Sequence, residues 1–240
     1  MLSALLFLFA CEPDPPPTKK VAPEPEVHEE SVFRLELDHA GGSFNAGSGF
    51  VARVPESSRI LGVTVHHLFS PAGGLERELH AAEVERFVLG VHPIGLNNKA
   101  LPDAGPMLYV QGARVTGNRQ DWTSDLAVFK LPNHYQDAAL PLAKRNASVG
   151  ETLWLVQVPH EKEDSRLEKV IVQTSNSNLL LFRFIDPRVN PAGASGAPLL
   201  NRKGEVVGMN TAEGNDGKNW WGTAHPVESI SIKLRAVDDG

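Results

Sequence analysis

Three short stretches of this 240-residue chain carry side chains that could perform acyl transfer together. The first is Asn190-Pro-Ala-Gly-Ala-Ser-Gly-Ala-Pro-Leu199, which sets Ser195 on a Gly-rich bend just ahead of an apolar strand. A bend of this kind holds a hydroxyl proud of the backbone. It also aims successive N–H groups at the space in front of that hydroxyl, where charge develops on an attacked carbonyl. A serine hydroxyl is protonated near neutral pH and needs a base within hydrogen-bond reach, for which imidazole has a suitable pKa. Thr64-Val-His-His67 offers two histidines at a strand end. The imidazole must in turn be held in one tautomer, which a carboxylate does by accepting its second N–H. Ser124-Asp-Leu-Ala-Val-Phe-Lys-Leu131 offers Asp125 at the head of an apolar strand.

These groups are far apart in sequence, so a fold must bring them together. Hydrophobic residues at 41% and charged residues at 22% describe a globular chain with ample surface to bury. Phe33, Leu35 and Leu37 alternate with polar neighbours, as a half-buried strand does. Further short strands are expected at 49–54 and 60–65, joined by a hairpin over Pro55–Arg59, and at 107–110, 126–131, 153–158, 170–173, 179–185 and 220–224. Strands at 197–200 and 205–209 form a second hairpin across Asn201-Arg-Lys-Gly204. Only the end reads as helix: Val227, Ile230, Leu234 and Val237 recur near helical spacing after Pro226. Many short strands with little helix predict a β-sandwich or β-barrel.

The net charge of −6, with no basic run longer than Lys19-Lys20, argues against a nucleic-acid partner. The only cysteine is Cys11, so no intramolecular disulfide and no thiolate metal site can form. The histidines are scattered without helical zinc spacing, so neither a metal nor a cofactor is expected. Gly47-Ser-Gly49 lacks the third glycine and the following helix of a nucleotide loop. Cys11 ends the apolar run Leu5-Leu-Phe-Leu-Phe-Ala-Cys11, too short to span a bilayer and of the kind found in signal segments. Leu8-Phe-Ala-Cys11 resembles a bacterial lipobox, which implies cleavage before Cys11 and lipidation of its thiol. Residues 12–30 are rich in Pro and Glu and read as an extended, solvated linker. Together they place the domain in the bacterial cell envelope, lipid-anchored and facing the periplasm or the exterior.

With their flanks, the three stretches resemble the chymotrypsin-like (trypsin-fold, S1 type) serine proteases, most closely the bacterial HtrA/Deg branch. Gly47-Ser-Gly-Phe-Val51 and Ile60-Leu-Gly-Val-Thr-Val-His-His67 look like that branch's Gly-Ser-Gly strand and the strand leading to its histidine. The family's Thr three residues before the histidine selects His67 over His66. Ser124-Asp-Leu-Ala-Val-Phe-Lys130 resembles its Asp-Ile-Ala-Val-Leu-Lys pattern and selects Asp125. Residues 190–199 and Gly204-Glu-Val-Val-Gly-Met-Asn-Thr211 resemble its nucleophile loop and following hairpin, and Trp221-Gly-Thr-Ala-His-Pro226 its Gly-Phe-Ala-Ile-Pro segment.

The resemblance implies an all-β fold of two six-stranded antiparallel β-barrels, with a short C-terminal helix and a cleft between the barrels. The domain would cover residues 31–240, with barrel 1 at about 31–135 and barrel 2 at about 136–236. It implies a serine endopeptidase acting on polypeptides, with His67 as base, Asp125 as its orienting acid, Ser195 as nucleophile, and the amides of Gly193 and Ser195 as the oxyanion hole. Val189, Asn190, Thr211, Ala212, Ala224 and His225 would border the substrate. The alternatives are an inactive relative kept as a binding module and an esterase.

Departures from the pattern carry expectations too. The loop before Ser195 is one residue longer than usual, and Ala194 replaces the branch's common Asn, which could turn one oxyanion donor away. No length remains after Ala236 for a PDZ domain. No acid occupies Val189–Ala194, which disfavours a preference for Arg or Lys and points to small or medium apolar side chains. His225 stands where the family has an apolar residue; it either contacts an acidic substrate group or points away from the pocket.

Overall fold

A computed structural model of the protein describes residues 23–115, 122–158 and 166–237. Cys11, the apolar run before it and the first half of the proline-rich stretch lie outside the described residues. The N-terminal sheet contains β1 (Val32–His39), β2 (Gly42–Arg53), β3 (Ile60–Thr64), β4 (Gly90–Gly95), β5 (Met107–Leu108) and β6 (Ala127–Lys130). The second half contains β7 (Thr152–Gln157), β8 (Arg166–Ser175), β9 (Leu180–Phe184), β10 (Pro198–Leu200), β11 (Val206–Asn215) and β12 (Trp220–Pro226). Helix α1 (Ala81–Phe87) lies in the first half, and α2 (Val227–Ala236) ends the described chain. The chain is therefore mostly β, with two six-stranded antiparallel sheets and a short C-terminal helix.

The second sheet closes on itself in the order β10-β11-β12-β9-β8-β7. The first runs β4-β1-β2-β3-β6-β5 and is bridged irregularly. Its two end strands are linked by the segment leading into β5: Leu101 N–H donates to Pro93 O and Ala104 N–H to Val91 O, both at 2.9 Å, while Gly105 N–H turns to Lys130 O. Proline is tolerated on β4 because that strand sits at the sheet's end, where a missing N–H breaks no ladder. Period-two alternation works as expected on β1, where Phe33, Leu35 and Leu37 are buried.

Two apolar cores result, a larger one under the first sheet that also takes in Val156, Leu200, Val206 and Met209 of the second, and one inside the second sheet; α2 joins them. Ile230, Leu234 and Val237 pack into the first core and Val227 into the second. Arg59, from the turn between β2 and β3, donates to the Val237 carbonyl at 3.1 Å, a favourable place for a cation beside the end of a helix. The segment 140–143 stitches the sheets further. Leu140 pairs with β2 through Val51 and Arg53, and Pro141 and Ala143 pair with Val206 of β11.

Residues 23–30 of the proline-rich stretch lie against the fold. Glu24 pairs with Lys169 of β8 at 2.7 Å, and Pro25 is buried. Val27 packs on the first core, and Glu29 O accepts from Leu96 N–H. Helix α1 and strand β4 carry no clear periodicity: α1 is seven residues long and buries only Val84, and β4 reads Gly-Val-His-Pro-Ile-Gly.

Candidate active site

Strand β3 ends at Thr64, and the chain tightens into one turn of 3-10 helix at His66–Phe69. That turn sends the two adjacent imidazoles to different places. His66 is 1% exposed and donates from Nε2 to Leu79 O at 2.9 Å; burial pushes its pKa below the ordinary value. It pins the loop that follows. His67 faces Asp125, which sits between a 3-10 turn at Trp122–Ser124 and β6. The contact is double: Asp125 Oδ2 accepts from His67 Nδ1–H and Oδ1 from the His67 backbone N–H, each at 2.7 Å. The carboxylate is 4% exposed and the imidazole 14%. With Nδ1 committed as donor, Nε2 is the nitrogen left with a lone pair.

The Ser195 bend belongs to the other sheet and is fastened across the seam to β2. Ser48 N–H donates to Ser195 O at 2.7 Å, and Ser48 Oγ donates to Gly193 O at 2.8 Å. Thr64 Oγ1 donates to Ser48 O at 2.7 Å, tying the same residue to the strand that leads to His67. Glycine is required in this seam. Gly193 and Gly196 have φ of 84° and 89°, and a Cβ on Gly196 would lie 2.0 Å from Ser48 O. A Cβ on Gly47 would lie 2.5 Å from Ser195 O and 3.1 Å from Leu68 Cδ2, which measures how closely the bend approaches the residue after His67.

The structure thus brings His67, Asp125 and the Ser195 loop to one seam between the sheets. Ser195 itself is half-buried, and among the described residues no hydrogen bond joins its hydroxyl to His67. The extra loop residue is absorbed in a turn closed by Ala194 N–H to Pro191 O at 3.0 Å. The N–H groups of Gly193 and Ser195 have no acceptor among the described residues.

The expected pocket residues divide. Asn190 is exposed and Ala212 half-buried, whereas Val189 and Thr211 are nearly closed off and Ala224 lies in the second core. Thr211 Oγ1 donates to Thr223 O at 3.0 Å. His225 is fully buried, and its Nε2 meets Ser229 Oγ of α2 at 3.1 Å, so it points at the helix. Sequence reasoning passed over two residues of β11, Asn210 and Glu213. Asn210 is fully buried and donates from Nδ2 to Ala194 O at 3.0 Å and also to Glu213 Oε1. Burial pushes the Glu213 carboxyl above its ordinary 4.5, against the pull of Asn210 and of the nearby His67. The available signal was position: Glu213 directly follows the two small residues expected to wall the pocket. A separate cavity of about 750 Å³, lined by residues including Lys144, Arg145, Arg202 and Lys203, contains none of these groups. No cluster able to hold a metal ion occurs among the described residues.

Two six-stranded antiparallel sheets, with a histidine–aspartate pair on one and a serine bend on the other, define the chymotrypsin-like fold of serine proteases. Residues 47–209 match the trypsin-like peptidase domain, more than half of the chain, and the chain belongs to that family. Among solved structures it is similar to a serine endoprotease from Yersinia pestis, at 18% identity and a TM-score of 0.57, over 87% of this chain and 62% of that one. It is similar to an HtrA-type protease solved with a tripeptide, at 16% identity and a TM-score of 0.53, over 86% of this chain and 58% of that one. It is also similar to a Glu endopeptidase, at 18% identity and a TM-score of 0.57, over 87% of this chain and 90% of that one. The chain thus spans less than two-thirds of the first two structures. No curated protein matches it.

Proposed function

We propose that the protein is a serine endopeptidase that works through an acyl-enzyme on Ser195. The observation that carries this reading is the double hydrogen bond from His67 to Asp125, which leaves Nε2 as a base on the seam where the Ser195 loop is fastened. Nε2 takes the Ser195 proton as Oγ attacks the peptide carbonyl. The carbonyl oxygen becomes an oxyanion, stabilised by the two unengaged N–H donors of Gly193 and Ser195. The imidazolium, stabilised by Asp125, gives its proton to the leaving amine, and water then hydrolyses the ester with His67 again as base. The Oγ–Nε2 contact forms with substrate bound, since such hydrogen bonds commonly tighten only in the complex.

A fluorophosphonate probe tests the nucleophile: it labels the wild type and leaves Ser195→Ala unlabelled, and equal labelling of both rules the assignment out. Turnover of casein beside a small ester separates peptidase from esterase. Lipidation of Cys11, and with it an envelope location, belongs to the same proposal. Incorporation of labelled palmitate into the wild type but not into Cys11→Ser in bacterial cells is the expected result.

A further inference from the structure

We propose that Asn210 and Glu213 are a positioning pair for the oxyanion hole: the Asn210 amide, held by Glu213, fixes the direction in which the Ser195 N–H points. The assignment rests on the reading of Ser195 as nucleophile and deepens it.

A peptide group is planar and trans, so its C=O and N–H point in opposite directions. The Ser195 N–H belongs to the same peptide group as the Ala194 carbonyl. Asn210 Nδ2 donates to that carbonyl at 3.0 Å. The Ser195 N–H therefore points away from Asn210, and it has no acceptor among the described residues. Ala194 is fully buried, and its methyl group offers nothing polar that could hold the loop. The next peptide group is clamped from both sides: Ser195 O accepts from Ser48 N–H at 2.7 Å, and Gly196 N–H donates to Asn210 O at 2.8 Å. Asn210 N–H donates in turn to Ala197 O at 2.8 Å. The main chain of Asn210 thus anchors the loop after Ser195, and its side chain orients the peptide before it. The altered loop, which from sequence could turn one oxyanion donor away, is held against that turn by β11.

A carboxamide can turn about its last bond and exchange its oxygen with its nitrogen. Turned over, Asn210 would set Oδ1 against the Ala194 carbonyl and push that peptide aside. Glu213 opposes this. Its Oε1 accepts from the same Nδ2, so a turned amide would face two acceptors at once. The amide's own oxygen, Oδ1, is buried without a hydrogen bond among the described residues. An unpaired buried oxygen costs free energy, so this orientation is selected by the two donated hydrogens and not by the oxygen. The burial that raises the Glu213 carboxyl above its ordinary value also keeps water from competing for the amide.

The test uses the full chain and compares the wild type with Asn210→Leu and Glu213→Gln in fluorophosphonate labelling rate, casein turnover and thermal melts. The phosphoryl oxygen of the probe takes the place of the oxyanion. Asn210→Leu nearly keeps the volume and removes both donated hydrogens. It is expected to label about 10²–10³-fold more slowly, the loss that follows removal of one oxyanion donor, with kcat reduced to match and KM unchanged. Glu213→Gln can offer Asn210 an acceptor or a donor, so the amide is no longer held one way. It is expected to lose about tenfold in labelling rate and kcat while melting no lower than the wild type. A merely structural role would move the melting temperature and leave the rate of the folded protein alone. Labelling of Glu213→Gln at the wild-type rate overturns the pair, as does a loss confined to KM in either variant. If Asn210→Leu does not fold, Glu213→Gln decides alone. A wild type that does not label removes the nucleophile and, with it, the role of its amide; a wild type that labels beside unchanged variants removes the pair and leaves the nucleophile standing.

Discussion

The two sides of the seam are finished to different degrees. On the N-terminal side the polar groups are satisfied: Asp125 spends one oxygen on the His67 ring and the other on its backbone, and His66 is locked to Leu79. On the C-terminal side the groups facing the seam are held in place but left open. The N–H groups of Gly193 and Ser195 have no acceptor among the described residues, and Glu213 has one neutral donor. A base must already be in the right tautomer before substrate arrives, so its partners belong to the folded protein. Donors for an oxyanion work best when the substrate completes them. Ser48 and Thr64 hold the two sides in register, so that one is rigid without closing the other.

The contrast can be broken most severely from the finished side. Asp125→Asn keeps the shape but favours the wrong imidazole tautomer, and kcat is expected to fall by about 10⁴-fold with the fold intact by circular dichroism. A loss below tenfold would mean that the pair does not serve the base. Next is the seam itself. Gly196→Ala forces a Cβ to 2.0 Å from Ser48 O at a φ of 89°. It should lower stability by about 1–3 kcal/mol and cut kcat/KM at least about tenfold, read from thermal melts and peptide turnover.

Smaller effects sharpen the comparison. Ser48→Ala removes only the tether to Gly193 O, worth about 1 kcal/mol, so kcat should drop about fivefold with little change in KM. An effect confined to KM would place Ser48 in substrate binding. Glu213→Gln should raise thermal stability near neutral pH, because the wild-type carboxyl, held above 4.5 by burial, is penalised once ionised. The sign follows from the raised value: the penalty is absent below 4.5, where the group is protonated folded or unfolded, and grows as pH rises through the folded value. Melts of the two proteins should therefore converge in acid; a constant difference at all pH values would remove charge as the cause.

Period-two alternation made β1 legible through Phe33, Leu35 and Leu37, whereas β3, β6 and β7 were legible as short apolar runs bounded by turn residues and are buried almost throughout. Strand β4 and α1 were hidden because their positions come from pairing with β1 and from the single buried Val84 with the His80–Glu83 capping box rather than from a pattern of their own. The residues 23–30 read as solvated because proline and glutamate bury little alone; Lys169 and the first core supply what holds them. The chain by itself determined which side chains with the right chemistry exist and in what order: histidines at a strand end, an aspartate before an apolar strand, a serine on a glycine bend. Only the tertiary structure supplied the partners: His66 is packed away against Leu79 O, and Asp125 holds both the ring and the backbone N–H of His67. The fold also carried Glu213, on a strand read only as wall, to the nucleophile loop. Burial and partner choice are properties of contacts between residues dozens of positions apart, and no local pattern contains them.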